Sequence, residues 1–298
     1  MNNFIKLIED KYKPLKYTMR GRTLNFFSTL GNYVVKPRPV DKDISKLFSY
    51  LDSRNFNNFP KLKEVNDDYI TYEYIDSKWQ PPEQKMQDLA LLVAKLHNKT
   101  AYFKEVTQDK YQEIYENIKN NITYLKEYYS NLYDKFFDEV YMSPSKYYFM
   151  INYTLINNDL AFVEQELDEW FNLVKDSTKQ RVVLLHNNLS LDHYLKEKEP
   201  TLISWDKYTF DTPVLDIVTF YKNEYLTCNF ESPLSLYMKN FTLSEDEQKL
   251  LFILISLPEK IEITENEFNN TCSFVNLIDY ISRTEKLIRP YYAKEKKE

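Results

Sequence analysis

The chain has 298 residues and a formal net charge of −6, with 43% hydrophobic and 28% charged residues. This length is enough to bury a substantial core in one large domain or two smaller ones. The acidic balance argues against a surface that neutralises nucleic-acid phosphates, and no apolar run approaches the roughly 18 residues of a membrane span. We therefore expect neither nucleic acid nor a membrane as a partner.

The N-terminus and the cysteines point to a cytoplasmic location. The opening segment, MNNFIKLIEDKYKPLKY, carries acidic residues within its apolar stretch and has no small-residue cleavage site, so it is not predicted to be a signal peptide. Cys228 and Cys272 lie far apart in sequence, which predicts two isolated thiols rather than a disulfide or a thiolate metal site. With only two glycines in the chain, a mechanism that needs a glycine-rich loop is disfavoured.

The first 75 residues combine β-branched and aromatic residues with turn signals, a pattern typical of short strands. Ile44, Leu47 and Leu51 recur at helical spacing, which predicts one helix over residues 41–55. The strands are predicted at residues 17–19, 24–29, 32–36, 62–65 and 69–75. We therefore predict a first lobe, residues 1–75, made of a five-stranded antiparallel sheet and one helix.

After Pro82 the hydrophobic period becomes helical, with Met86, Leu89 and Val93 on one face of a helix of about four turns. This change marks a second, mainly helical lobe at residues 76–298. Helical patterns continue through residues 108–180. The predicted fold class is α+β with two lobes.

Two short apolar runs interrupt the helical lobe, at residues 182–185 and 201–205. A polar turn precedes the second run, and we predict that the two runs pair as a β-hairpin. Farther on, Ser244 and Glu247 form a capping box ahead of a helix that Pro258 ends.

Four segments follow one another along the chain: NYVVKP, ALLVAKLHNKT, TPVLDIV and LSEDEQKLLFILISLPEK. In this order they resemble the aminoglycoside phosphotransferase and choline kinase superfamily, most closely its spore-coat kinase-like branch. NYVVKP, with Lys36, is similar to the third-strand lysine segment, and ALLVAKLHNKT is similar to the helix after the hinge. TPVLDIV, with Asp216, resembles the segment after the metal loop, and LSEDEQKLLFILISLPEK resembles the C-terminal helix of the spore-coat branch. The resemblance covers residues 33–260 and implies a two-lobed, protein-kinase-like fold.

The segment that resembles the catalytic loop lacks the expected catalytic groups. In the family this loop reads His-Gly-Asp, four further residues and then Asn, whereas here the base position is Asn188 and the metal-ligand position is His193. An amide cannot accept a proton at neutral pH, so general-base assistance worth about 10²–10⁴-fold would be lost. A neutral imidazole is also a poor ligand for Mg²⁺, which prefers oxygen.

The second metal loop of the family reads Ile-Asp-Trp-Glu or Ile-Asp-Phe-Asp, and Ser204 stands here at the metal carboxylate position. Asp206 follows two residues later, on what we predict to be the same strand face, and Asp192 adjoins His193. These two carboxylates are the candidates for a displaced metal site.

Two residues of the first lobe have alternative interpretations. Lys36 is either the lysine that contacts nucleotide phosphates, as the resemblance implies, or an ordinary exposed strand lysine. Asp43 is either the acidic partner of that lysine or a solvated acid at a helix N-terminus, where the helix dipole favours it.

The remaining candidates are interpreted structurally. On an apolar helix face, His97 is predicted to be a core histidine. The resemblance implies that His186 hydrogen-bonds the loop backbone and that Asp216 braces the catalytic loop. We expect the bulky Phe26 and Phe27 to fill the space where phosphates would lie.

Two functional hypotheses follow. The first is a pseudokinase, a binding or scaffold module for an unidentified protein or small molecule, with no cofactor and with a role in spore-coat assembly if the organism sporulates. The second is an active phosphotransferase that uses ATP and Mg²⁺ on a hydroxyl substrate through a relocated metal site. A hydrolase is disfavoured because the sequence has neither a Gly-x-Ser-x-Gly elbow nor a close Cys and His pair.

Overall fold

The computed structural model describes residues 11–295 of the chain. The first lobe contains a five-stranded sheet in the order β1-β2-β3-β5-β4, in which all neighbours are antiparallel. Its strands are β1 (Lys16–Arg20), β2 (Thr23–Ser28), β3 (Gly31–Pro37), β4 (Leu62–Val65) and β5 (Tyr69–Glu73). The five predicted strands are therefore confirmed.

Buried and partly exposed side chains alternate along β2 and β3, which gives the sheet one buried face. Leu24 and Phe26 of β2 pack with Tyr33 and Val35 of β3 in a small core of the first lobe, because alternate side chains of a strand point to the same face. Phe27 lies on the opposite face, where its ring contacts the ring of Tyr74 at 5.2 Å between centroids. The two adjacent phenylalanines thus have different environments.

Helix α1 (Ile44–Ser53) lies between β3 and β4 in the chain, and its buried residues belong to the same core as those of the second lobe. The side chain of Asp43 caps the helix by accepting a hydrogen bond from the Lys46 backbone N–H at 3.1 Å. The buried face of the helix brings Phe48 edge-on to Trp205, with ring centroids 6.5 Å apart. An aromatic contact therefore joins the two lobes.

A second junction between the lobes is polar. The Asn58 side chain donates a hydrogen bond to the Pro200 carbonyl at 2.7 Å, and the Asn58 carbonyl accepts one from the Leu202 N–H at 2.9 Å. Lys95 also donates to the side-chain oxygen of Asn58, at 2.8 Å. Both the backbone and the side chain of Asn58 are therefore held by the second lobe.

The second lobe is mainly helical, as predicted. Its helices within the described residues are α2 (Pro82–Thr100), α3 (Gln108–Phe137), α4 (Pro144–Val174), α5 (Val214–Glu224), α6 (Glu231–Asn240), α7 (Glu245–Ser256) and α8 (Glu267–Glu295). The predicted capping box of Ser244 and Glu247 is present at the start of α7. Between residues 11 and 295, no helix combines the length and the apolar character needed to cross a bilayer.

The predicted β-hairpin of residues 182–185 with 201–205 is wrong. Strand β7 (Lys179–Leu185) instead lies between β6 (Tyr102–Glu105) and β10 (Thr209–Asp211), while β8 (Tyr194–Lys196) pairs with β9 (Pro200–Leu202). The apolar run at the end of β7 is completely buried, so it needs neighbours that a single hairpin would not supply. One neighbour, β6, directly follows α2 and was not predicted.

Because Phe26 and Phe27 lie on opposite faces of the first sheet, truncating them to alanine should lower the free energy of unfolding by different amounts. We expect Phe26→Ala to lower the free energy of unfolding by about 3–5 kcal/mol, because it removes a completely buried ring from the small core. Phe27→Ala should cost less than half as much, since Phe27 is only half-buried. Urea unfolding followed by circular dichroism measures both variants, and equal losses would contradict the packing described for β2.

Candidate functional site

A cavity of about 640 Å³ lies between the two lobes. Val34, Lys36 and Tyr72 line it from the sheet, and Asn188, Ser204 and Asp206 line it from loops of the second lobe. Neither Phe26 nor Phe27 borders this space, so the expectation that they fill it is wrong. The reason is the burial of Phe26 within the small core and the contact of Phe27 with Tyr74.

The central contact in the cavity joins the lobes through two side chains. Lys36 Nζ donates a hydrogen bond to Ser204 Oγ at 2.8 Å. Burial lowers the pKa of Lys36, and the negative charge of Asp206 opposes this effect. Of the two interpretations of Lys36, the structure therefore excludes an ordinary exposed strand lysine.

Ser204 lies at a sharp turn. Its backbone is left-handed, with φ 66° and ψ 53°, and it precedes the 3₁₀ helix Trp205–Lys207. The indole N–H of Trp205 donates to the Leu202 carbonyl at 2.7 Å and fastens the turn from inside. Ser204 and Asp206 therefore do not share a strand face as predicted, because no strand continues through this segment.

A buried carboxylate organises the loop that contains Asn188. Asp216 accepts hydrogen bonds from the backbone N–H groups of His186, at 2.9 Å, and Asn187, at 2.7 Å. It also accepts one from His97 Nε2 at 3.2 Å, and Tyr237 donates to the other ring nitrogen of His97 at 2.7 Å. Asp216 thus braces the loop, and His97 lies in the core.

His186 links this loop to the turn at Ser204. Its Nε2 donates to the Ile203 carbonyl at 2.8 Å, and its Nδ1 is buried without a hydrogen-bond partner among the described residues. Burial lowers the pKa of His186 to about 4, so the ring is neutral at pH 7.

His193 has a defined tautomer. Its Nδ1 lies 2.6 Å from the backbone carbonyl of Asn188, and a carbonyl can only accept, so Nδ1 must carry a proton. An Nε2 without a proton would then be an acceptor, and His193 lines the cavity together with Asn188.

The structure does not bring Asp192 and Asp206 together in the cavity. Asp206 borders it, whereas Asp192 lies on the 3₁₀ helix Leu191–His193 and is not among the described residues that line it. The charge of Asp192 acts on Lys85 of helix α2, whose pKa is lowered by burial and raised in part by this carboxylate.

The donor set of the cavity is a poor match for a magnesium ion. Its two carboxylates come from opposite lobes, Glu73 from β5 and Asp206 from the 3₁₀ helix after Ser204. The other donors are an amide, an imidazole and a hydroxyl that already binds Lys36. Mg²⁺ demands an octahedral oxygen shell that is usually anchored by carboxylates. Across the part of the chain that the structure describes, no cluster of three or more His, Cys, Asp or Glu side chains could hold a metal ion.

Asp43 does not act as the acidic partner of Lys36. Besides capping α1, it forms an ion pair with Lys46 at 3.6 Å. The alternative interpretation, an acid at a helix N-terminus, agrees with these contacts.

Sequence reasoning missed two arginines of the cavity wall, Arg22 and Arg38. Alternation along the strand could have indicated Arg38, because it follows Lys36 by two residues and so falls on the same side of the chain. Arg22 lies in the turn between β1 and β2, where no periodicity applies.

The overall fold superimposes on solved structures of phosphotransferases and related kinases. No protein-family model and no curated protein matches the sequence. An aminoglycoside phosphotransferase from Alicyclobacillus acidocaldarius superimposes with a TM-score of 0.70 at 9% identity, covering 97% of this chain and 95% of that one. This chain has a phosphotransferase-like kinase fold.

Two further structures share the kinase fold. Spectinomycin phosphotransferase bound to AMP gives a TM-score of 0.56 at 12% identity, covering 95% of this chain and 97% of that one. A choline/ethanolamine kinase family protein from Mesorhizobium loti gives 0.52 at 11% identity, covering 97% and 99%. At these identities the likeness establishes the fold alone.

The brace at Asp216 predicts a large loss of stability on truncation. We expect Asp216→Ala to lower the free energy of unfolding by about 3–5 kcal/mol, because it leaves several buried donors unpaired. Asp206→Asn, at an exposed position of the same cleft, should cost less than about 1 kcal/mol. Urea unfolding of both variants measures the difference, and similar losses would contradict the brace.

The buried His186 predicts an acid-side loss of stability. Its pKa in the folded protein, about 4, lies below the ordinary 6.5. The contribution of the neutral, buried ring to the free energy of unfolding is therefore complete above pH 6.5 and is lost as the pH falls through 4. The contribution is about 3 kcal/mol. We expect His186→Gln, which can donate to the same carbonyl but does not titrate, to flatten the pH dependence of unfolding between pH 6.5 and 4. An unchanged slope would contradict this assignment.

Proposed function

We propose that this chain is a pseudokinase, a kinase-fold protein that binds a ligand between its lobes and does not transfer a phosphoryl group. The observation that carries the proposal is the hydrogen bond of 2.8 Å between Lys36 and Ser204. It joins the position that the resemblance assigns to the phosphate-contacting lysine to the position assigned to the metal carboxylate.

The chemistry of transfer depends on groups that these positions lack. Phosphoryl transfer needs divalent cations to neutralise the developing charge and a group that orients or deprotonates the acceptor hydroxyl. Here a neutral hydroxyl at Ser204 replaces one anionic oxygen donor, and the amide of Asn188 replaces the base. The carboxylates that line the cavity, Glu73 and Asp206, stand at neither of these two positions, which supports the absence of a metal-dependent reaction.

The cavity retains features suited to binding. Arg22, Lys36 and Arg38 contribute positive charge to its walls, and Val34 and Ile44 contribute apolar surface. A ligand with an anionic group and an apolar part would be complementary to such a space, which has the volume of an ordinary small-molecule site. The resemblance of residues 243–260 to the spore-coat branch supports a role as a binding or scaffold module there.

The alternative function is an active phosphotransferase that acts on a hydroxyl substrate. The observation in its favour is the Asp206 carboxylate, which borders the cavity and acts electrostatically on Lys36. The matched solved structures include a spectinomycin phosphotransferase and a choline/ethanolamine kinase family protein, so an amino sugar or an amino alcohol would be the acceptor.

The proposal predicts that the protein does not turn over ATP. Purified wild-type protein with ATP and Mg²⁺ should release phosphate no faster than Lys36→Ala, because neither has a metal-loaded cleft. We expect the triple variant Asn188→Asp, His193→Asn, Ser204→Asp to gain a rise in melting temperature that requires both Mg²⁺ and ATP, since it restores the oxygen donors.

Turnover of ATP by the wild type would instead support the active phosphotransferase. Mg²⁺-dependent ATP consumption by the wild type that disappears in Lys36→Ala would overturn the pseudokinase assignment. A wild-type MgATP melting shift that Asp206→Asn abolishes would place the relocated metal at that carboxylate.

A further inference from the structure

A second cavity, of about 350 Å³, lies between helices α4 and α8, and its lining residues are all different from those of the interlobe cleft. Leu155 and Phe162 of α4 and Ile281 and Ile288 of α8 form apolar walls. This volume exceeds the roughly 150 Å³ of a cavity that holds benzene, so it can accept an aromatic or alkyl group with a polar end.

One carboxyl group stands in these apolar walls. Asp159 lines the cavity, and its Oδ2 is buried with no hydrogen-bond partner among the described residues. Burial raises the pKa of Asp159 to about 8, and the charge of Glu285 adds to this effect. A carboxyl group in such surroundings is costly unless a partner satisfies it.

The surrounding groups do not supply that partner. From α8, Glu285 and Arg289 border the cavity and form an ion pair with each other. Tyr292 donates its hydroxyl to Glu166, and Tyr280, on which Asp159 also acts, donates to the Ile255 carbonyl. The positive charge of Arg289 is therefore already matched by Glu285, and an ionised Asp159 would leave this wall with a net negative charge.

We propose that the cavity between α4 and α8 binds a small organic ammonium ion with an aryl or alkyl body. The ammonium group supplies both a hydrogen-bond donor and a counter-charge to Asp159. The apolar body fills the space between Leu155, Phe162, Ile281 and Ile288. An organic anion of the same shape would meet an ionised Asp159 as a like charge and could not neutralise it.

This mode of binding is coupled to proton release. An alkyl ammonium keeps its charge across the neutral range, as lysine does with a pKa of about 10.4. Asp159 must lose its proton to pair with it, so affinity should rise about tenfold per pH unit below pH 8 and level off above it. Burial raises the pKa of Tyr280, so its hydroxyl stays protonated over this range.

The test uses the full-length protein with 2-phenylethylamine as the probe and 3-phenylpropanoate as the anionic control of similar shape. Calorimetric titrations at pH 6, 7 and 8, in two buffers with different ionisation enthalpies, measure affinity and the protons released. We expect binding of the amine alone, with about one proton released at pH 6 and an affinity about 50-fold higher at pH 8 than at pH 6.

Two variants assign the interaction to the carboxyl group. Asp159→Leu removes a costly buried carboxyl, so it should melt at or above the wild-type temperature and lose amine binding. Asp159→Asn keeps the side-chain volume without the charge and should also lose binding and proton release, which provides the same test if the leucine variant does not fold. Asp168→Asn, on the same helix but outside the cavity, should bind like the wild type.

Three results would overturn the proposal. These are no amine binding at millimolar concentration and pH 8, equal binding of the anion, or undiminished binding in the Asp159 variants. None of them bears on the interlobe cleft, so the pseudokinase assignment stands or falls separately.

Discussion

The carboxylate of Asp216 is the interaction on which the rest of the cleft depends. It lies in the first turn of α5 and accepts from the backbone at His186 and Asn187 and from the ring of His97 on α2. Three separated parts of the chain thereby converge on one fully buried group. Through His186 the same network reaches the turn that presents Ser204. The buried Asp216 side chain therefore ties the loop of Asn188 and, through His186, the turn of Ser204 to the core of the second lobe.

The centre of the cleft combines a buried framework with neutral hydrogen-bonding groups. Trp205 is buried and holds the turn at Ser204, and Asp216 holds the neighbouring loop. The donors themselves are a hydroxyl and an amide, at Ser204 and Asn188. Lys36 accordingly meets a neutral partner where a carboxylate would give an ion pair, and burial weakens its hold on its proton.

Most of the fold could be predicted from the sequence because its elements have clear local periods. Alternation in β2 and β3 and the helical spacing of Ile44, Leu47 and Leu51 were sufficient for the first lobe. The pairing of β7 could not be predicted, since its partners lie about 80 residues before it and about 25 after it along the chain. The left-handed turn at Ser204 was also missed, because serine has no marked preference for that conformation.

The sequence predicted only the part of the site that lies in recognisable motifs. Motif positions located Lys36, Asn188, His193 and Ser204, all of which line one cavity. Spacing suggested that Asp192 would join Asp206, but the 3₁₀ helix turns Asp192 towards Lys85. The cavity beside Asp159 has no sequence signature, since the residues of its two walls lie more than 100 positions apart in the chain. Only tertiary packing brings that carboxyl group and its apolar surroundings together.

The contacts at the junction between the lobes affect how a ligand can enter the cleft. Phe48 contacts Trp205 across the boundary, and Asn58 is anchored to the second lobe through its backbone and its side chain. A swing of one lobe away from the other would have to break this aromatic contact and these hydrogen bonds together. These contacts therefore stabilise the cleft at its present width, and a ligand that needs a wider opening would bind at the expense of the Phe48–Trp205 contact and the hydrogen bonds of Asn58.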